Sequence, residues 1–341
     1  MGYWRDTAWQ SRRAFRPGLT ENTMRAAQLS AGLLLLGLAS PLAAQNGQCS
    51  AYSSNARRIC DAAVDGTRAF HPLVGVLVSG GNPTIGSAGT LGGLGHVSFA
   101  VRANGVNLVL PSLNYDGSTG SVPAGDKLFA PAPLVEGAVG LYKGMSAGLL
   151  AVDFLGSAQL LPTNQINNLT VESGARRIGD VALGVGYGAR VGILQEMGPL
   201  PALSVSIMHR DIPQLNYGDI TAGDRYSYGV DLHATNFRLV ASKSLLVFDV
   251  AAGLGWDKYT GHASIQFRDP FTLLPQPAVP VSLSSSRFVS FLDAGMSLSV
   301  VRLAGEIGYQ GGKDQQLSTN FQDFDTTKGK FFAGLGLRVG F

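Results

Sequence analysis

Charge is scarce in this chain. Asp, Glu, Lys and Arg make up 14% of its 341 residues, against about 25% in typical soluble domains. Cysteine is scarcer still, with only Cys49 and Cys60. Two cysteines do not build a zinc module. No sequence spacing suggests other metal ligands, so no metal and no cofactor are expected. Long apolar runs are absent beyond residue 45. That excludes a bundle of membrane helices, each of which needs about 20 consecutive apolar residues. Excess positive charge is missing too, once the N-terminal stretch is set aside. Residues 1–45 hold five arginines and two acids, which leaves 21 basic and 21 acidic residues in the rest. A balanced chain has no electrostatic footprint for nucleic acid.

Glycine is what the chain has in plenty, 45 residues where about 7% is usual. The N-terminus also carries a signal. Met24 and Arg25 precede the Leu- and Ala-rich run from Leu29 to Leu42, which ends in Pro41-Leu42-Ala43-Ala44-Gln45. This is the layout of a secretory signal peptide. Residues 24–45 are read as that peptide, and 1–23 as a mis-called upstream extension. Export puts Cys49 and Cys60 in an oxidising compartment, where the pair is expected to bridge. Asn55 to Gly66 predicts a short helix, capped by Asn55 and ended by Gly66, with Ile59, Ala63 and Val64 on one face. The Gly- and Pro-rich stretch from His71 to Gly95 reads either as a linker or as a segment folded into the domain that follows. Residues 46–94 are thus expected to form a small cap or plug.

From residue 95 to 341 the pattern alternates. The last stretch shows it most plainly: Phe331, Ala333, Leu335, Leu337, Val339 and Phe341 share one parity, and Phe332, Gly334, Gly336, Arg338 and Gly340 the other. Alternate side chains of a strand point to opposite faces. Ten such strands are expected, near 95–110, 133–143, 147–160, 178–194, 202–212, 225–240, 245–258, 286–298, 301–311 and the chain end. A hairpin at Ser264–Phe267 would make twelve. Short and long connections alternate between them. This predicts a transmembrane antiparallel up-and-down β-barrel of 10–12 strands, apolar outside and polar inside. Both chain ends are expected on the side of the short turns. Trp256, Tyr259, Tyr226, Tyr309, Phe331 and Phe341 are expected at the membrane interfaces.

The inward parity collects Arg102, Glu136, Asp153, Asp180, Arg190, Arg210, Asp231, His233, Asp249, Asp257, Glu306 and Arg338. Charges of both signs in a narrow lumen are expected to pair, because an unpaired buried charge is costly. They read either as a structural network or as a polar eyelet that selects solutes. His96 with Ser98, His209 with Asp211, and Asp231 with His233 each share a strand face, but such pairs also arise by chance in alternating strands. No enzyme activity is expected from them, and a rim-located outer-membrane enzyme is the least favoured alternative.

The closing strand resembles that of bacterial outer-membrane β-barrels, which end in Phe preceded by apolar residues at every second position. The resemblance implies a cell outer membrane location, a lipid boundary, and Phe341 as the signal read by the barrel-assembly machinery. A Gly-, Asn- and Pro-rich N-terminal segment ahead of a barrel is also loosely similar to the long-chain fatty-acid transporter family. That likeness implies passage of small or hydrophobic solutes, gated by the N-terminal segment. The alternative is a structural or adhesive barrel whose long loops bind partners, above all 259–285 with Pro270, Pro275, Pro277 and Pro280.

Overall fold

In hydrocarbon every backbone N–H and C=O must find a protein partner, which a sheet achieves only by closing on itself. The computed structural model describes residues 47–162, 169–179 and 181–341. Its long strands are β1 (Val97–Pro111), β2 (Ala124–Tyr142), β3 (Val152–Pro162), β4 (Val181–Leu194) and β5 (Ala202–Tyr217). They continue with β6 (Tyr226–Leu245), β7 (Phe248–Phe267), β8 (Val279–Leu298), β9 (Val301–Gln310) and β10 (Lys330–Gly340). Each pairs antiparallel with its neighbour in sequence. The last returns to the first, so the barrel is closed. Phe341 and Val97 exchange both backbone hydrogen bonds, at 2.9 and 3.0 Å, and fasten the seam. The strand number is therefore ten. Ser264–Phe267 is the end of β7, not an extra hairpin.

Two of the expected long connections are partly strand. β5 runs on to Tyr217, β7 to Phe267, and β8 begins at Val279. Only 218–225 and 268–278 remain as connections at those places. Strands β6, β7 and β8 each have 20 residues, about twice the 9–11 needed to cross lipid. The sheet outruns that length, and its pattern changes where it does so.

Near the short turns the faces follow expectation. Val250, Leu254 and Trp256 are exposed outside β7, while Asp249 and Asp257 are buried inside it. Beyond Trp256 the polarity inverts: Lys258, Thr260 and His262 point out, and Tyr259, Ile265 and Phe267 are buried within. β6 inverts at the same height, since Trp256 pairs with Phe237. Phe237 and Leu239 are exposed, with Arg238 buried between them, whereas Tyr226, Tyr228, Val230 and Leu232 are buried. The outer zone is thus built like a water-soluble barrel, with a dry interior and a polar coat. Tyr226 and Tyr259 belong to that interior, not to an interfacial girdle. Trp256, Tyr309, Phe331 and Phe341 are exposed as a girdle requires.

The dry interior holds a helix, α1 (Ser54–Ser79), of 26 residues. It passes the expected stop at Gly66, and its N-cap position is Ser53 instead of Asn55. The reason is the surroundings. A chain inside a closed sheet has no water to bond and finds no free strand edge, so its own helical hydrogen bonds are the remaining solution. Nearly every residue from Ala62 onward is buried. Phe70 lies against Tyr228, with ring centroids 6.2 Å apart. At Gly75 the helix runs so close to β7 that a Cβ would stand 2.5 Å from the Tyr259 ring. Gly80 ends the helix with φ +59°, its N–H donating to Val76 O at 2.9 Å.

The direction of α1 departs from expectation. Cys49 and Cys60 are bridged, and this end of the helix stands among the long connections. Arg58 Nη1 donates to Gly117 O at 3.0 Å, and the Tyr52 ring meets Phe267 at 4.9 Å. The far end leads through 80–96 to β1, whose first residue pairs with Phe341. Residues 47–49 and Phe341 therefore lie at opposite ends of the barrel. The chain threads its own lumen before the first strand begins.

Candidate functional site

The site is the zone where the chain leaves α1 and meets the charged half of the lumen. Two carboxylates of neighbouring strands, Glu306 and Asp293, face the turn after Gly80. Glu306 accepts the backbone N–H of Gly81 at 2.8 Å and of Asn82 at 2.6 Å. Asp293 accepts Asn82 Nδ2 at 2.6 Å and the Gly86 N–H at 2.9 Å. Charge-assisted bonds of this kind are about twice as strong as neutral ones.

Arginines take the carbonyls of the same turn. Arg102 Nη1 donates to Asn82 O at 2.6 Å. Arg238 donates to Gly81 O at 2.7 Å and to Gly80 O at 2.9 Å. Arg190 Nη1 reaches Thr84 Oγ1 at 2.6 Å. Further on, the Leu91 N–H lies 3.2 Å from both oxygens of Asp153. The turn is held by acids on its donors and by arginines on its acceptors.

These side chains are also tied to one another. Arg190 pairs with Asp153 at 2.7 Å, and Arg238 with Asp257. Tyr259 OH donates to Asp257 Oδ2 at 2.7 Å. Glu136 lies between Arg102 and Arg210, 3.5 Å from each, too far for well-formed hydrogen bonds. Arg210 Nη1 instead donates to Asn236 Oδ1 at 2.5 Å. Asp249 sits at the short-turn end, bound by Arg302 at 2.9 Å. Arg338 is half-buried and donates to Ser98 Oγ at 3.2 Å.

Of the twelve expected lumen charges, Asp180 lies outside the described residues. Asp231 and His233 face outward, because β6 has inverted by their height. The other nine face inward. Sequence reasoning missed Arg238, Asp293, Asn82 and Asn236. For Arg238 the signal was present: Phe237, Leu239 and Ala241 set an outward parity that leaves 238 inside. Asn82 had no such signal, since its place depends on the threading.

Of the remaining candidates, one pair meets and the others do not. His96 Nδ1 lies 3.4 Å from Gly93 O, while Ser98 serves Arg338. His209 and Asp211 do meet, on the outside. Gly144-Met145-Ser146-Ala147-Gly148 carries a Gly-x-Ser-x-Gly pattern that sequence reasoning passed over. It forms the turn between β2 and β3, with a 3-10 turn at Ser146–Gly148. The strand-to-helix elbow that gives this motif its chemistry is missing there.

No family model matches the sequence, and comparison with curated proteins gives no match. Among solved structures, the chain is similar to the N-terminal β-barrel domain of Pseudomonas aeruginosa OprF. That likeness has 8% identity, covers 72% of this chain and 97% of that one, and has a TM-score of 0.26. The translocator domain of the autotransporter NalP from Neisseria meningitidis is similar at 12% identity, over 72% and 88%, with a TM-score of 0.32. The transport unit of the autotransporter AIDA-I from Escherichia coli is similar at 10% identity, over 85% and 100%, with a TM-score of 0.35. These are bacterial outer-membrane barrels. At such scores they indicate no cargo, and they do not single out the long-chain fatty-acid transporters.

Proposed function

We propose that this chain is an outer-membrane barrel closed by its own N-terminal segment, which passes small or hydrophobic solutes only when that segment moves. The packing of the lumen carries the reading. A cavity between Gly66, Phe70, Leu73 and Leu110 measures about 20 Å³, room for about one water. Solute passage past α1 therefore requires displacement of the turn held by Glu306 and Asp293. A path opened in this way is apolar at the outer end and charged at the inner end, which suits small solutes with an apolar body. Lipid surrounds the inner zone in this reading, and Phe341 serves assembly.

Planar-bilayer recordings test it. The double variant Glu306→Ala, Asp293→Ala is expected to give larger and more frequent current steps than the parent. Deleting residues 46–90 is expected to raise single-channel conductance further. Unchanged conductance in both would overturn the gate.

One observation favours a second reading, a barrel that presents adhesive loops. Phe271, Leu273 and Leu274 are exposed at the tip of 268–278. Apolar side chains gathered on a loop tip suit contact with a partner. Replacing Phe271 and Leu274 by Ser should then abolish surface adhesion and leave conductance unchanged.

A further inference from the structure

Outside the barrel, just above Ile207, Phe237 and Trp256, three side chains converge that the lumen does not use. His209 and Asp211 stand two apart on β5, and His233 lies directly opposite Asp211 on β6. Asp211 Oδ1 is 3.3 Å from His209 Nε2 and 2.5 Å from His233 Nδ1. One ligand-capable atom from each residue falls within 4.8 Å of the others. The two imidazole rings are parallel to within 3°, with centroids 6.4 Å apart.

The far side of His209 is occupied. Its Nδ1 lies 3.1 Å from Thr235 Oγ1. When Nδ1–H donates to that hydroxyl, Nε2 turns a lone pair toward Asp211. A carboxylate only accepts, so in that tautomer two acceptors face each other, and a metal ion between them satisfies both, as a shared proton does in the free protein. A ligating histidine whose other nitrogen is held by a neighbour is the usual arrangement at metal sites. All three residues sit on paired strands, which fixes their spacing better than loops do.

We propose that His209, Asp211 and His233 form a site for a divalent transition-metal ion of the Zn²⁺ type on the outer face of the barrel. Two imidazoles and one carboxylate fill three positions of a tetrahedral ion and leave the fourth open. The nitrogen ligands select against Mg²⁺ and Ca²⁺, which take oxygen. The side chains are one-third to one-half exposed, at 35%, 45% and 45%, so an ion reaches them from water. Sequence spacing could not reveal this set, because His233 joins it across strands.

Calorimetric titration of the untagged, EDTA-treated full chain in detergent with Zn²⁺ tests the site. One saturable site is expected, lost in His209→Ala and in His233→Ala and retained in His262→Ala. Thr235→Val, which removes only the supporting hydroxyl, should weaken binding by roughly tenfold. Co²⁺ should give the visible absorption of a tetrahedral ion in the parent and not in the two histidine variants. Heat-modified gel mobility checks that each variant is folded, and His209→Gln replaces any alanine variant that is not. Absence of saturable Zn²⁺ binding, or binding that survives loss of both histidines, would overturn the proposal. Displacement of Zn²⁺ by equimolar Mg²⁺ would do so as well.

Discussion

The side-chain amide of Gln315 donates to the carbonyl oxygen of Arg68 at 3.2 Å. Arg68 is four residues before Pro72, the proline within α1. Proline has no N–H, so the carbonyl four residues back loses its helical donor. A residue from the connection 311–329 donates to that carbonyl. The same connection bonds Asp65, whose Oδ2 accepts from Ser318 N, Ser318 Oγ and Thr319 N, each at 2.8 Å. That connection and the lumen helix are thus one hydrogen-bonded unit.

That relation predicts a non-additive pair. Gln315→Ala should destabilise the barrel by about 1 kcal/mol, the net value of a typical hydrogen bond. In a Pro72→Ala background the helix adds its own donor to that carbonyl, and the same substitution should cost less. Urea unfolding of the four proteins in detergent measures the coupling. Equal costs in both backgrounds would refute the coupling between Gln315 and Pro72.

Gly75 predicts a steric effect. An added methyl would meet the Tyr259 ring, which is anchored by Asp257 and by Gln310 Nε2 at 3.1 Å. The ring cannot swing aside without breaking those bonds. Gly75→Ala is therefore expected to destabilise the seated helix by about 1–3 kcal/mol, the range for overpacking, despite alanine's better helix propensity. Faster proteolysis of α1 under native conditions would show it. A stabilised helix would mean that the contact is looser than described.

His71 predicts a pH effect. It lies in α1 beside Gly261 and the Tyr259 ring, above the Trp256 level. Burial lowers its pKa from 6.5 to about 4, against weaker raising effects from Thr260 and Asp231. His233 and Arg287 push it the same way as burial. The folded state thus holds the neutral ring, while the released helix binds a proton near 6.5. Stability from this group is complete above pH 6.5 and declines as pH falls toward 4. Plug release, followed as conductance or proteolysis, should increase over that window in the parent. His71→Gln should remove this part of the pH dependence.

The inner half of the barrel was legible because every strand there keeps one rule, apolar outside and polar inside. β10 reads apolar at 331, 333, 335, 337 and 339, and those residues do face outward. The outer half obeys the opposite rule. A single parity carried along β6 therefore misplaced Asp231 and His233 and hid Arg238. The switch is visible in β7 as Trp256-Asp257-Lys258-Tyr259, where a bulky apolar residue changes parity within four positions. Glu306 was legible as a lumen charge, but its acceptor role toward Gly81 and Asn82 was not. That role depends on where the preceding chain runs, and glycine-rich sequence does not encode a path by its pattern.

The threading itself makes the last prediction. The 112–123 connection bonds Arg58, the 311–329 connection bonds Asp65, and Asp153 near the short turns bonds Leu91. Long connections of outer-membrane barrels face the exterior. An epitope inserted ahead of Gly47 should then be bound by antibody on intact cells. One inserted in the short turn at Leu246–Val247, at the same end as Phe341, should be reached only after the outer membrane is permeabilised. Reversal of these outcomes, or equal access to both, would place the chain in the membrane in a way that the seam between Val97 and Phe341 and the bonds around Arg58 do not allow.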